Sequence, residues 1–152
     1  MAMEGEKAPG FKLMGVDGKE HTLNEFKGKA LVLYFYPKDD TPGCTIEAND
    51  FTKHLAEIRK LGAEVVGISK DDHDSHCKFR DKYGLKVLIL SDPTSETIKA
   101  YDSYGDRGIF GWGTIRNTFI IDKTGKIIKI YKKVSAAGHA EEVVSYLKII
   151  QE

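Results

Sequence analysis

The sequence predicts an α/β domain with a mixed central sheet flanked by helices and an N-terminal hairpin. Three observations carry this expectation. Apolar, strand-like runs alternate with helix-patterned segments through the middle of the chain. Hairpin signals of the Asp-Gly and Thr-Gly kind sit near either end of that alternation. A closing segment places Val143, Val144, Leu147 and Ile150 on one helical face.

Taken in order, Phe11–Met14 and His21–Leu23 flank Val16-Asp17-Gly18-Lys19, which marks the first hairpin. Ala30–Tyr36, ALVLYFY, is a continuous run that suits a strand buried on both faces. A helix is expected from Pro42 to Lys60, then a β-branched strand over Ala63–Ile68. Asp74–Tyr83 reads as a short helix stopped by Gly84, and Val87–Leu90 as another strand. Thr94–Tyr104 is predicted to be a helix ended by Gly105, and residues 105–115 (GDRGIFGWGTI) a Gly-rich loop. Thr118–Asp122 and Lys126–Tyr131 form the second hairpin, and His139–Ile150 the last helix. Strands joined through helices are expected to run parallel.

The 152 residues suit one domain, spanning 1–152. Lys and Arg number 23, as do Asp and Glu. The formal net charge of zero gives no field that argues for nucleic acid or an anionic membrane. No apolar stretch approaches the length of a membrane span. MAMEGEKAPGF shows no secretory signal, so the cytoplasm is expected, where two cysteines are thiols or a transient redox pair.

Cys44 lies in YFYPKDDTPGCTIEAND, just past a strand and a Pro-Gly turn. Thr41 is a good N-cap and Pro42 a good first helical residue. Cys44 then falls in the first turn, where unpaired N–H groups and the helix dipole favour an anion such as a thiolate. It also heads the stripe Cys44, Ala48, Phe51, Leu55 and Ile58, while Glu47, Asp50, Lys53, His54 and Glu57 occupy the other side. The residues alone leave two readings, a small buried core residue or a reactive thiol in the crevice beyond a strand's carboxyl end.

The run Pro37-x-x-x-Thr41-x-x-Cys44 within YFYPKDDTPGCT resembles the active-site signature of the peroxiredoxins, more narrowly their bacterioferritin comigratory protein or PrxQ branch. GEKAPGFKL, VVGISKDD, LSDPT and RNTFIIDKTGKI extend the resemblance over nearly the whole chain. It implies a thioredoxin-like fold and reduction of hydroperoxides without metal or organic cofactor. Cys44 is then the attacking thiolate, oxidised to a sulfenic acid. Thr41 and nearby backbone N–H groups orient the peroxide, Pro37 shields the pocket, and Arg116 is the active-site cation. Read without the resemblance, Arg116 is a surface residue at a strand end. Glu47 either pairs with a cation near the pocket or is solvated. The resemblance also implies thioredoxin or a similar dithiol protein as reductant. A monomer or weak homodimer is expected.

Many members of that branch carry a second cysteine five residues on, but position 49 here is Asn. Cys77 is the remaining candidate for resolving the sulfenic acid. If Asp74 caps its helix, Cys77 is an exposed first-turn residue, opposite the face formed by His76, Phe79 and Tyr83. A disulfide needs Cα atoms within about 7 Å, so bridging requires helix ends to open. A one-cysteine cycle resolved by an external thiol, and a disulfide between subunits, stay open. Asp71, Asp72, His73, Asp74, His76 and Cys77 allow a metal reading, against which a solvated acidic loop is expected. Phe110 and Trp112 roof the pocket, contact a reductase or cover a core edge. His21, His54 and His139 receive no role. A dithiol oxidoreductase would carry Cys-x-x-Cys, which is absent, and a non-catalytic holdase on the same fold is the other alternative.

Overall fold

In the computed structural model, which describes residues 2–150, the first hairpin is β1 (Lys12–Gly15) and β2 (Glu20–Thr22). The alternating middle follows as β3 (Ala30–Phe35), α1 (Pro42–Lys60), β4 (Ala63–Ser69), α2 (His73–Tyr83), β5 (Leu88–Ser91) and α3 (Glu96–Ala100). A small hairpin, β6 (Tyr104–Asp106) and β7 (Trp112–Thr114), precedes β8 (Thr118–Ile121), β9 (Ile127–Tyr131) and α4 (His139–Ile150).

Seven strands form one mixed sheet in the order β2-β1-β5-β4-β3-β8-β9. The two helical crossovers leave β3, β4 and β5 parallel, as expected. The next strand of the sheet departs from that rule: β8 lies antiparallel against β3, with Tyr34 opposite Thr118. The β6–β7 hairpin lies between α3 and β8.

ALVLYFY is buried on both faces because side chains alternate across the sheet. Val32, Tyr34 and Tyr36 pack with α1, α2 and α4 through Phe51, Phe79 and Val143. Leu31, Leu33 and Phe35 pack on the other face with Ile98, Tyr101, Phe119 and Ile127. In α4, Val143, Val144 and Leu147 are buried, but Ile150 stands out to solvent.

Two expectations are corrected. The predicted helix Thr94–Tyr104 shrinks to Glu96–Ala100. Asp102 adopts a left-handed conformation (φ 54), which ends the helix, and its carboxylate accepts the backbone N–H of Ala2 at 2.9 Å. Residues 105–115 are not a plain loop. They contain most of the β6–β7 hairpin, closed by a 3₁₀ turn at Gly108–Phe110. Ile109, Phe110 and Trp112 project from it, 96%, 73% and 68% exposed, so they do not cover a core edge.

Gly67, in the middle of β4, pairs with Tyr34. A Cβ there would lie 2.6 Å from Cζ of Tyr34, whose ring is stacked on Phe51 at 4.9 Å. Gly67→Ala is therefore expected to lower the urea unfolding free energy by about 1–3 kcal/mol, the usual cost of overpacking a filled core. An unchanged midpoint would mean that the ring has room to swing aside.

Candidate active site

β3 ends at Phe35, and the chain crosses a short loop before α1 begins at the carboxyl edge of the sheet. Thr41 is the N-cap by backbone geometry (φ −97, ψ 156), and Pro42 is the first helical residue, as predicted. The Thr41 hydroxyl does not cap the helix. It donates to the carbonyl of Lys38 at 2.9 Å, which fastens the loop on itself. Cys44 falls in the first turn and is 1% exposed, heading the buried stripe of α1.

The antiparallel pairing of β8 with β3 delivers the start of β8 to this same edge. Phe35 N–H donates to the Asn117 carbonyl at 2.8 Å, so the residue before Asn117 lies beside the loop that leads into α1. That residue is Arg116. Its Nη2 donates to Cys44 Sγ at 3.2 Å, and its Nη1 donates to Glu47 Oε1 at 2.7 Å. Gly43 leaves space for this approach, since a Cβ there would meet Nη2 at 3.0 Å.

Glu47 therefore does not belong to the solvated side of α1 with Lys53 and Glu57. It is fully buried, because Arg116 supplies a charge partner inside the protein. Burial pushes its carboxyl up to about 7, with Arg116 drawing it partly back. Burial alone would loosen the proton of Arg116, but Cys44 and Glu47 beside it raise its pKa above the ordinary value. The result is a cation fixed between a sulfur and a carboxyl group in a nearly dry setting. Such an arrangement can stabilise a thiolate and negative charge that moves onto a neighbouring oxygen.

Pro37, Arg107, Ile115, Arg116, Lys133 and Val134 line an open cleft of about 350 Å³ at this edge. Pro37 thus borders the face from which Arg116 is reached. Two residues without a sequence-based role stand close to the cluster. Tyr34 is buried, and its pKa is raised by burial and then by Glu47 and Cys44. Its hydroxyl and Glu47 Oε2 have no hydrogen-bond partner among the described residues. An apolar-looking strand gives no sign of which face Tyr34 takes. His139 is also buried, with Nε2 2.8 Å from Thr118 Oγ1 and Nδ1 2.9 Å from Glu142 Oε1, tying α4 to the start of β8.

Cys77 is apart from this cluster, and its surroundings correct four expectations. Asp72, not Asp74, caps α2, its carboxylate accepting Ser75 N–H at 2.8 Å. His73 is thus inside the helix, and Cys77 lies beyond the first turn, where the dipole's help has faded. Cys77 is half-buried against the same core cluster that holds Cys44, with Sγ 3.4 Å from His73 Nε2. The acidic segment is not simply solvated either: His76 is fully buried and pairs with Asp39.

Comparison with known proteins gives a consistent answer. Residues 4–130 match the model of the AhpC/TSA family. A protein of Helicobacter pylori called putative peroxiredoxin bcp is 44% identical over 146 residues, covering 94% of this chain and 96% of its own. The crystal structure of a Cys-to-Ser mutant of PrxQ from Xylella fastidiosa superposes with a TM-score of 0.96 at 33% identity, covering 100% of this chain and 99% of that one. A structure of the Xanthomonas campestris bacterioferritin comigratory protein, determined in a study of its alkyl peroxide reduction, gives a TM-score of 0.89 at 36% identity. It covers 93% of this chain and 92% of that one.

The raised carboxyl of Glu47 makes a testable statement about stability. Between its ordinary value of 4.5 and about 7, the native state binds more protons at this site than the unfolded chain does. Stability from this group is present at low pH and is lost as pH rises through that window. Relative to Glu47→Gln, the wild type should lose roughly 3 kcal/mol between pH 4 and pH 8 in urea unfolding. The opposite slope would mean that Arg116 keeps Glu47 ionised throughout.

Proposed function

The chain belongs to the AhpC/TSA family and is a thiol-dependent peroxidase of the Bcp/PrxQ kind, and from that premise we propose that Cys44 is its peroxidatic thiol. The observation that carries this reading is the fork of Arg116 between Cys44 Sγ and Glu47 Oε1. The guanidinium holds an N–H against the sulfur, where it can stabilise a thiolate, and Arg116 itself borders the cleft.

The peroxide enters past Pro37, whose ring limits water at the sulfur. The Thr41 hydroxyl has committed its hydrogen to Lys38, so its oxygen is free to accept the hydrogen of the incoming hydroperoxide. Backbone N–H groups of the first turn of α1 lack intrahelical partners and face developing negative charge. The thiolate attacks the terminal peroxide oxygen, the O–O bond breaks, and sulfur takes the OH as a sulfenic acid. The other oxygen leaves with the electron pair and gains a proton to become water or an alcohol. Arg116 neutralises charge as it passes from sulfur to oxygen, and Glu47 fixes the plane of the guanidinium as a positioning residue.

Recycling needs a thiol. In our reading Cys77 resolves the sulfenic acid: its sulfur displaces the hydroxyl group, which departs as water, and a Cys44–Cys77 disulfide forms. Thioredoxin or a similar dithiol protein then reduces that disulfide. Both thiols pack against one core cluster, so neither has to cross the sheet, but α2 must open for them to meet. The chain works as one domain, 1–152, as a monomer or weak homodimer, in the cytoplasm, where the reductant is available.

Cys44→Ser should abolish hydroperoxide consumption. Arg116→Ala should reduce the rate of Cys44 oxidation by about 10²–10³, the loss typical of removing one donor to developing charge. Intact mass after one equivalent of hydrogen peroxide distinguishes the cycles. Loss of two hydrogens from a monomer supports Cys77 as the resolving thiol. A stable gain of one oxygen with Cys77 still free means a one-cysteine cycle. Peroxide consumption that survives Cys44→Ser would remove Cys44 from the chemistry.

A further inference from the structure

The loop that carries Pro37 and Thr41 also carries two consecutive aspartates, and both reach α2, the helix of Cys77. Asp39 is buried and meets the first two turns. Its Oδ2 is 2.6 Å from His76 Nδ1 and accepts the Ser75 hydroxyl at 2.8 Å, while its Oδ1 accepts the Tyr36 hydroxyl at 2.6 Å. Its N–H donates to Asp71 Oδ2 at 2.8 Å. Asp40 reaches the far end of α2, accepting from Lys82 Nζ at 2.8 Å and from the Tyr83 hydroxyl. Cys77 lies between these two attachments.

The Asp39–His76 contact is a short, buried hydrogen-bonded pair. His76 Nε2 is 3.1 Å from the Leu90 carbonyl, which can only accept, so Nε2 carries a hydrogen. Nδ1 then faces a carboxylate that already accepts two hydroxyls. Side-chain exposure is 0% for His76 and 3% for Asp39. Asp39, Asp71 and His76 have the proximity of a metal cradle, within 4.8 Å of one another. Their polar atoms are instead spent on each other and on Tyr36, Ser69, Ser75 and Leu90.

We propose that Asp39 and His76 form a latch between the two half-reactions, positioning the peroxide loop while it is closed and releasing Cys77 when it opens. The proposal rests on the reading of Cys77 as the resolving thiol. His76 and Ser75 immediately precede Cys77, so α2 cannot unwind far enough to free that thiol without drawing them off Asp39. Separating a buried pair is strongly unfavourable until both members reach water together. Asp39 also lies two residues from both Pro37 and Thr41, so the same release loosens the pocket. Closed, the latch favours oxygen transfer to Cys44 and stows Cys77; open, it favours the disulfide at the expense of the pocket.

Asp39→Asn tests this, because the amide keeps the shape and an oxygen for the hydroxyls but removes the charge. Ser75→Ala is a milder second variant that leaves the Asp39–His76 contact in place. Quenched-flow intact mass after one equivalent of hydrogen peroxide reads both steps, gain of one oxygen and then loss of two hydrogens. In Asp39→Asn the second step should be about tenfold faster and the first slower, the scale of one lost charged hydrogen bond. Ser75→Ala should speed the second step by about threefold, as for a neutral one. A brace with no latch function would not speed disulfide formation, so an unchanged or slower second step in both variants overturns the proposal. Should the wild type form no disulfide, the Cys77 reading fails by itself. The latch is then judged by amide hydrogen exchange, which should rise in the first two turns of α2 in Asp39→Asn while β3 and β4 stay protected. Equal exchange in α2 would overturn it.

Discussion

A single guanidinium organises the edge of this sheet. Arg116 donates through one nitrogen to a buried sulfur and through the other to a buried carboxyl group, and the carboxyl group could not be accommodated there alone. A carboxyl group with no exposure is costly unless a partner compensates for its lost hydration. The planar fork also fixes geometry: with Nη1 held by Glu47, Nη2 has little freedom except to face Cys44. A lysine would bring the charge without the fork.

That cation arrives by topology. Cys44 and Arg116 are 72 residues apart, yet both lie at the same edge because β8 runs against β3. The end of one strand and the start of the other are then neighbours. A parallel β8 would have put Arg116 at the far side of the sheet, about 13 Å away for a four-residue strand. The β6–β7 hairpin returns the chain to where it left, Ile115 N–H donating to the Ser103 carbonyl at 2.7 Å, so Arg116 follows directly from its base.

The elements with a strong period were legible in the sequence. α1 runs from Pro42 to Lys60 as predicted, since a proline at its first position and an apolar stripe mark both its start and its buried face. ALVLYFY was legible as a doubly buried strand for the same reason. What escaped depended on contacts distant in sequence. α3 is cut short by a left-handed Asp102 that binds the N-terminal segment. One of the two readings of Glu47 puts it on the solvated side, yet it lies three residues from Cys44 and four from Phe51, on the buried side of α1, where Arg116 supplies the partner a carboxyl group needs. The cap of α2 moves from Asp74 to Asp72 because two aspartates compete, and Asp72 is the one that reaches Ser75 N–H. In the site, Cys44, Thr41, Pro37 and Arg116 were visible through the family motif. Asp39 and Tyr34 were not, because a loop carboxylate carries no periodic signal of burial and a strand buried on both faces does not tell which of its tyrosines faces the thiol.

The exposed tip of the β6–β7 hairpin has an optical consequence. Trp112 is the one tryptophan of the chain, and it sits 68% exposed, a few residues from the Arg107 and Ile115 that border the cleft. Its indole is already surrounded by water in the native fold. Its emission should therefore be red-shifted before any denaturant is added, and unfolding should move it little. The intrinsic tryptophan fluorescence of this protein is thus a poor thermometer of the core and a reporter of the hairpin tip instead.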